Sequence, residues 1–187
     1  GLGTAEYNLI ENGTFNNTDE YWSDSTIVTD LINGEVVKAV KLNGGLPQYT
    51  TNADEILTLT DNISATTQNV KINGKKGETY SIGGWFKGFF DDNSISSFVS
   101  SEYSPIIPSK TNSAAQIKVT YSYTDTVTTT DETTNETTTT EQLVTENFVV
   151  DFAPHNDDWQ YVADTFALKG DTESVDVTIL AKNIPAD

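Results

Sequence analysis

The chain has 187 residues, 36% of them hydrophobic and 10% aromatic, with no cysteine and with 28 acidic residues against 10 basic ones, all lysine, for a formal net charge of −18. That length and apolar content suffice for one domain with its own core, and without cysteine neither a disulfide nor a thiolate zinc site is available. The charge speaks against nucleic acid and against an anionic bilayer surface, because both are bound by basic side chains that neutralise phosphates.

The opening "GLGTAEYNLI" has neither the basic start nor the apolar stretch of a leader, so the expectation is a mature or excised piece. No apolar run approaches the ~20 residues of a membrane helix, and no membrane insertion is expected. Acidic loops either solvate the surface or gather Ca²⁺ through carboxylate and carbonyl oxygens.

Taken in chain order, period-two alternation and abundant Thr, Val and Ile predict strands at Leu9–Asn12, Thr26–Ile32, Glu35–Leu42, Ile56–Thr60 and Thr66–Ile72, then at Thr79–Lys87, Ala115–Asp125, Gln142–Phe152, Gln160–Leu168 and Ser174–Ala181. Asn33-Gly34, Asn43-Gly44-Gly45, Asn73-Gly74 and Gly170-Asp171 punctuate them as turns. No helical stripe persists over three turns. Short strands at this spacing predict an all-β, two-sheet antiparallel sandwich of jelly-roll type, one domain over residues 1–187.

Two segments interrupt the rhythm. Residues 88–114 carry prolines and serines together with Phe89, Phe90, Ile95, Phe98, Tyr103 and Ile106, too apolar for a solvated linker. The expectation is a long loop folded over the body, either a binding loop or a flap closing the core. The stretch "TDTVTTTDETTNETTTTEQ" is of low complexity, yet alternation enters it from both sides and Thr favours strands, so residues 117–152 read as a long hairpin with its tip near Asp131–Asn135.

In "TYSIGGWFKG", Tyr80, Ile82, Gly84 and Phe86 share one face and Ser81, Gly83, Trp85 and Lys87 the other. The first set is the core side, so Trp85 points away from it. The adjacent glycines leave room around its indole for a neighbouring ring, a covering loop or a ligand, and the expectation is that the segment after Gly88 covers it, a ligand being the other outcome. The same parity sets Trp159 and Tyr161 opposite Val162, Phe166 and Leu168.

"NLIENGTF" followed by Trp22, then "AVKLNG", "TQNVKINGKKGETYSIGGWFKG", "YSYTD" and "WQYVADTFALKGDTESVDVTILAKN", in that order, resemble segments of the jelly-roll carbohydrate-binding-module superfamily. The nearest likeness is to modules of large secreted or wall-associated proteins of Gram-positive bacteria, including those with RHS/YD repeats. The resemblance implies an extracellular or cell-wall-associated location, neighbouring modules in a larger parent, and a structural Ca²⁺ near the first strand, although Asn16 stands where relatives carry an acidic residue. It also implies a closing strand rich in aromatics and Asp-Asp. The chain ends instead in "NIPAD", so that strand is expected to be absent, with Leu9–Asn12 or its neighbour left as an open edge.

With one histidine, His155, and neither Cys nor Arg, nothing points to nucleophilic or acid–base machinery, and the chain reads as non-enzymatic. Glycan binding needs planar aromatics to stack on sugar rings and amide or carboxylate groups to bond hydroxyls. Trp85, Trp159, Tyr161 and Trp22 are the candidate platforms, with Gln160 and Asp92, and beside them Asp91, Asn93 and Gln116, as polar partners. The expected partner is a polysaccharide or cell-surface glycan; the other reading is a structural or adhesive spacer with no sugar site.

Overall fold

β-Branched and aromatic side chains pack well on a pleated surface. The computed structural model describes residues 8–51, 57–91 and 113–184, and within them these side chains build ten strands and no helix. They are β1 (Thr26–Ile32), β2 (Glu35–Lys41), β3 (Gln48–Thr51), β4 (Leu57–Thr60), β5 (Ile63–Gly74), β6 (Thr79–Phe86), β7 (Ala114–Thr130), β8 (Thr137–Asp151), β9 (Gln160–Ala167) and β10 (Thr172–Lys182). All pairing is antiparallel: a four-stranded sheet in the order β5-β10-β7-β8 and the pairs β1-β2, β3-β4 and β6-β9.

Successive strands cross between layers. The chain leaves the four-stranded sheet after β5 for β6, returns for β7 and β8, crosses again for β9 and returns for β10, which is how a jelly roll closes a two-sheet sandwich. Val70, Val175, Val177, Ile117, Val119, Tyr121 and Val150 cover the inner face of the larger sheet; Ile82 is buried against them, and Tyr80, Phe86, Val162 and Phe166 pack on the same core. These are the β6 and β9 faces that alternation assigned to the interior. Leu168 and Phe90 close the ends of the core.

Local chemistry explains the boundaries. Asn33 (φ 51°) and Gly34 (φ 81°) join Ile32 to Glu35 in a two-residue turn with both central residues left-handed, the geometry that matches the twist of a hairpin. β7 and β8 stay in register from Gln116↔Asp151 to Thr130↔Thr137, well past the last pair of β7 with β10, so the threonine run is strand almost to its tip. Buried Asn183 accepts from the Asn62 N–H and donates to Asp61, which ties the end of β10 to the start of β5 with its polar atoms satisfied.

Two expectations need correction. Leu9–Asn12 is a succession of turns, not a strand, with Asn12, Phe15, Thr18 and Tyr21 all at positive φ. The Asn12 side-chain amide donates to the carbonyls of Thr18 and Glu20, 3.0 Å each, and its oxygen accepts the Asn17 N–H, curling the chain around one residue. The strand beside this segment is β5, whose Gln68 side-chain amide accepts the Glu11 N–H at 2.9 Å and donates to the Glu11 carbonyl at 2.8 Å, and among the described strands β5 and β8 border the large sheet. Finally, β3 follows Pro47 directly in a stretch whose glycines marked it as a connection, although Pro is at home at the start of a strand.

Candidate functional site

The outer face of β6-β9 is built by register. Thr79↔Ala167 through Phe86↔Gln160 places Ser81 opposite Thr165, Gly83 opposite Ala163 and Trp85 opposite Tyr161, with Lys87 and Trp159 next in line. Three of the four candidate aromatics therefore sit on one face of two strands.

Trp85 is 49% exposed and Tyr161 56%. Their ring centroids are 5.3 Å apart with planes inclined at 50°. Gly83 is what permits this: a methyl built there would fall 2.5 Å from the Tyr161 hydroxyl and 2.9 Å from the Ala163 Cβ, so the tyrosine ring lies over the space a side chain would fill. The room beside Trp85 belongs to a neighbouring ring. Gly84, on the opposite face, brings β6 close to Ile117 of β7, 3.0 Å from a hypothetical Cβ.

The expected cover for Trp85, residues 92–112 of the loop after Gly88, lies outside the described residues, as do Asp92 and Asn93. Of its described start, Phe90 is buried and meets Phe86 edge-on at 6.2 Å, while Phe89 is exposed and lies against His155. Asp91 faces the His155 Nε2 at 3.7 Å.

The other end of the aromatic strip is held by the β1-β2 hairpin. Lys87 Nζ donates to the Asp30 carboxylate at 2.9 Å. That bond, with the Leu31 N–H behind it, holds the Asp30 carboxyl below its ordinary value. The Trp159 indole N–H is buried and meets no acceptor at bonding geometry, yet stands near enough to Asp30 to add a smaller pull in the same direction.

The remaining candidates are occupied within the chain. Gln160 uses both ends of its amide on Ala153, accepting from its N–H at 2.8 Å and donating to its carbonyl at 3.0 Å, and so pins the 153–160 loop. Trp22 is half-buried, donates its indole N–H to the Asn12 carbonyl at 3.1 Å and leans on Phe15 at 5.4 Å; it stands apart from the Trp85–Tyr161 pair. Gln116 donates to Asp151 on the outer face of the large sheet. Two open depressions, of about 370 and 220 Å³, are lined by other residues, among them Asp19, Asp24 and Lys41 in the first and Asn69, Glu173 and Asp176 in the second.

Asp30 is the member of this cluster that sequence reasoning missed. It is 57 residues from Lys87, and nothing local marks an aspartate on a hairpin as the partner of one lysine in another sheet.

No family model and no curated protein matches the chain. Among solved structures, one described as "Family 16 Carbohydrate Binding Module-2" is similar at a TM-score of 0.48 and 17% identity, over 94% of this chain and 96% of its own. The enzymatically active domain of bacteriophage CBA120 tailspike protein 4 is similar at a TM-score of 0.46 and 10% identity, over 96% of this chain; the chain spans 20% of that protein's length.

The Asp30–Lys87 contact has a defined pH dependence. A carboxyl whose folded value is depressed contributes stability above its unfolded value and loses it as pH falls through the folded one. The hairpin should therefore hold Trp159 in place at neutral pH and loosen below about pH 4. Intrinsic tryptophan fluorescence followed from pH 7 to 2 should report a red shift over that range, before global unfolding, and Asp30→Asn should show the shifted spectrum already at pH 7. A spectrum identical in the variant and the parent at pH 7 would remove the latch.

Proposed function

We propose that the chain is a non-catalytic carbohydrate-binding-like module in which Trp85 and Tyr161 form the stacking surface, carried by a secreted or cell-wall-associated bacterial protein with further modules. The observation that supports it is the side-by-side exposure of these two rings on a face flattened by Gly83, Ala163 and Ser81. An ordinary monomer surface spends few large aromatics in this way. A ring of a neutral sugar laid on the indole would keep its hydroxyls toward solvent and toward the exposed Lys87–Asp30 pair at the end of the strip. Binding through so shallow a surface is weak, with Kd about micromolar to millimolar, or roughly −8 to −4 kcal/mol.

A structural or adhesive spacer is the second reading, favoured by the 50° inclination of the two rings, which lets each cover part of the other instead of lying coplanar. A glycan array separates the two. The binding reading expects the parent protein to retain at least one neutral glycan and expects Trp85→Ala and Tyr161→Ala each to weaken it about tenfold or more, Trp22→Ala being a control for stability rather than contact. No retained glycan, or retention that ignores both substitutions, leaves the spacer reading.

The resemblance carries a structural Ca²⁺ into this proposal. In the first segment the Thr18 and Glu20 carbonyls are engaged by the Asn12 amide, and Asp19 accepts the Ser25 N–H, so an ion taking the six to eight oxygens it prefers would have to displace that amide. Melting scans with excess Ca²⁺ and with EDTA decide it: a transition raised by the ion supports the site, and coincident transitions remove it.

A further inference from the structure

β10 pairs with β7 only as far as Val175↔Tyr121, whereas β7 and β8 remain paired to Thr130↔Thr137. Tyr123 and Val144, opposite each other, still pack on the core; beyond them the hairpin continues as a two-stranded ribbon, closed at its tip by the Asp131 N–H donating to the Glu136 carbonyl at 2.8 Å.

In an antiparallel pair, opposed residues alternate between those that bond each other and those whose N–H and C=O point away. Phe152 donates its N–H to the carbonyl of Ala115, the residue opposite it. That fixes the alternation along the ribbon: even-numbered residues of β8 face β7, and Thr137, Thr139, Glu141 and Leu143 turn their backbone groups outward. All four are exposed, Leu143 at 74%, and among the described residues no strand pairs with that edge. Its length is about 20 Å. Exposed edges of this length are usually interrupted by proline, lysine or a bulge. This one has none of the three.

Charge selects the occupant. Between Lys118 and Lys169 the chain has no lysine or arginine, while Asp125, Asp131, Glu132, Glu136 and Glu141 lie on the ribbon and its tip. A second copy laid edge to edge would set like charges against each other. The free stretch of β7, on the other side of the ribbon, ends against β10 at Tyr121, so the unobstructed edge is that of β8.

We propose that β8 from Thr137 to Leu143 is a docking edge for an extended, lysine- or arginine-bearing segment of another protein, which joins the sheet as a further strand. The guest's backbone completes the unpaired groups, its cations meet Glu141 and the acidic tip, and an apolar residue covers Leu143. This site is separate from the aromatic face, and it stands or falls without the glycan reading.

The test uses the full chain and a fluorescein-labelled nonapeptide alternating threonine and lysine, with capped ends. Saturable binding by anisotropy is expected, with amide exchange slowed at Thr137, Thr139, Glu141 and Leu143 and little changed at Thr138, Thr140 and Gln142. The same peptide N-methylated at alternate residues keeps its charge and should bind about tenfold more weakly or worse, as should Thr139→Pro with the unmodified peptide. Absence of binding, equal binding of the methylated peptide, or equal binding of a threonine–glutamate peptide overturns the proposal. So does sedimentation showing that the chain pairs with its own copy along this edge.

Discussion

Rings that reach from one layer to the other hold the two sheets together. Phe166 of β9 lies 5.0 Å from Phe148 of β8 and 6.1 Å from Tyr121 of β7 in the facing layer, with Tyr80 of β6 beside it in its own layer at 6.0 Å, and Phe86 lies 4.9 Å from Phe152. Each such pair contributes about 0.5–1.5 kcal/mol beyond the apolar area it buries. Because successive residues of a strand point to opposite faces, committing Tyr80, Phe86 and Phe166 to the interior commits Trp85 and Tyr161 to the outside. The exposed aromatic face is thus a consequence of how the core is closed.

Glycine placement refines that consequence. Gly84 faces the large sheet and lets β6 approach Ile117; Gly83 faces outward and makes room for the Tyr161 ring. Two adjacent glycines in one strand would ordinarily weaken it through lost side-chain packing and added backbone entropy. Here each is matched to a close approach on its own face. The Lys87–Asp30 bond then fastens a hairpin to the end of the same strip, so the candidate surface has a covered end at Trp159 and an open one at Trp85.

Alternation read along the chain was enough to separate Ile82 and Phe166 from Trp85, Trp159 and Tyr161, because a period of two survives whatever the strand packs on. Together with the strand preference of Thr, it was also enough to read a hairpin through the threonine run despite its low complexity. It failed at Leu9–Asn12, where an alternating "NLIEN" meets a left-handed Asn12 and a network of side-chain to backbone bonds that no periodicity encodes. Asp30 could not be paired with Lys87, nor the Gln160 amide with Ala153, since both depend on where loops return in space. Which aromatic faces outward is a local property; which of their neighbours are already engaged is not.

The most direct measurement exploits the absence of native cysteine. Single cysteines placed in turn at 80, 81, 82, 85 and 86, with Gly83 and Gly84 left intact because a side chain there would meet Tyr161 or Ile117, and labelled with a water-soluble maleimide under native conditions should react rapidly at positions 81 and 85 and slowly at 80, 82 and 86. Uniform reactivity along the strand, or fast labelling at 82 with slow labelling at 85, would contradict the assignment of the two faces.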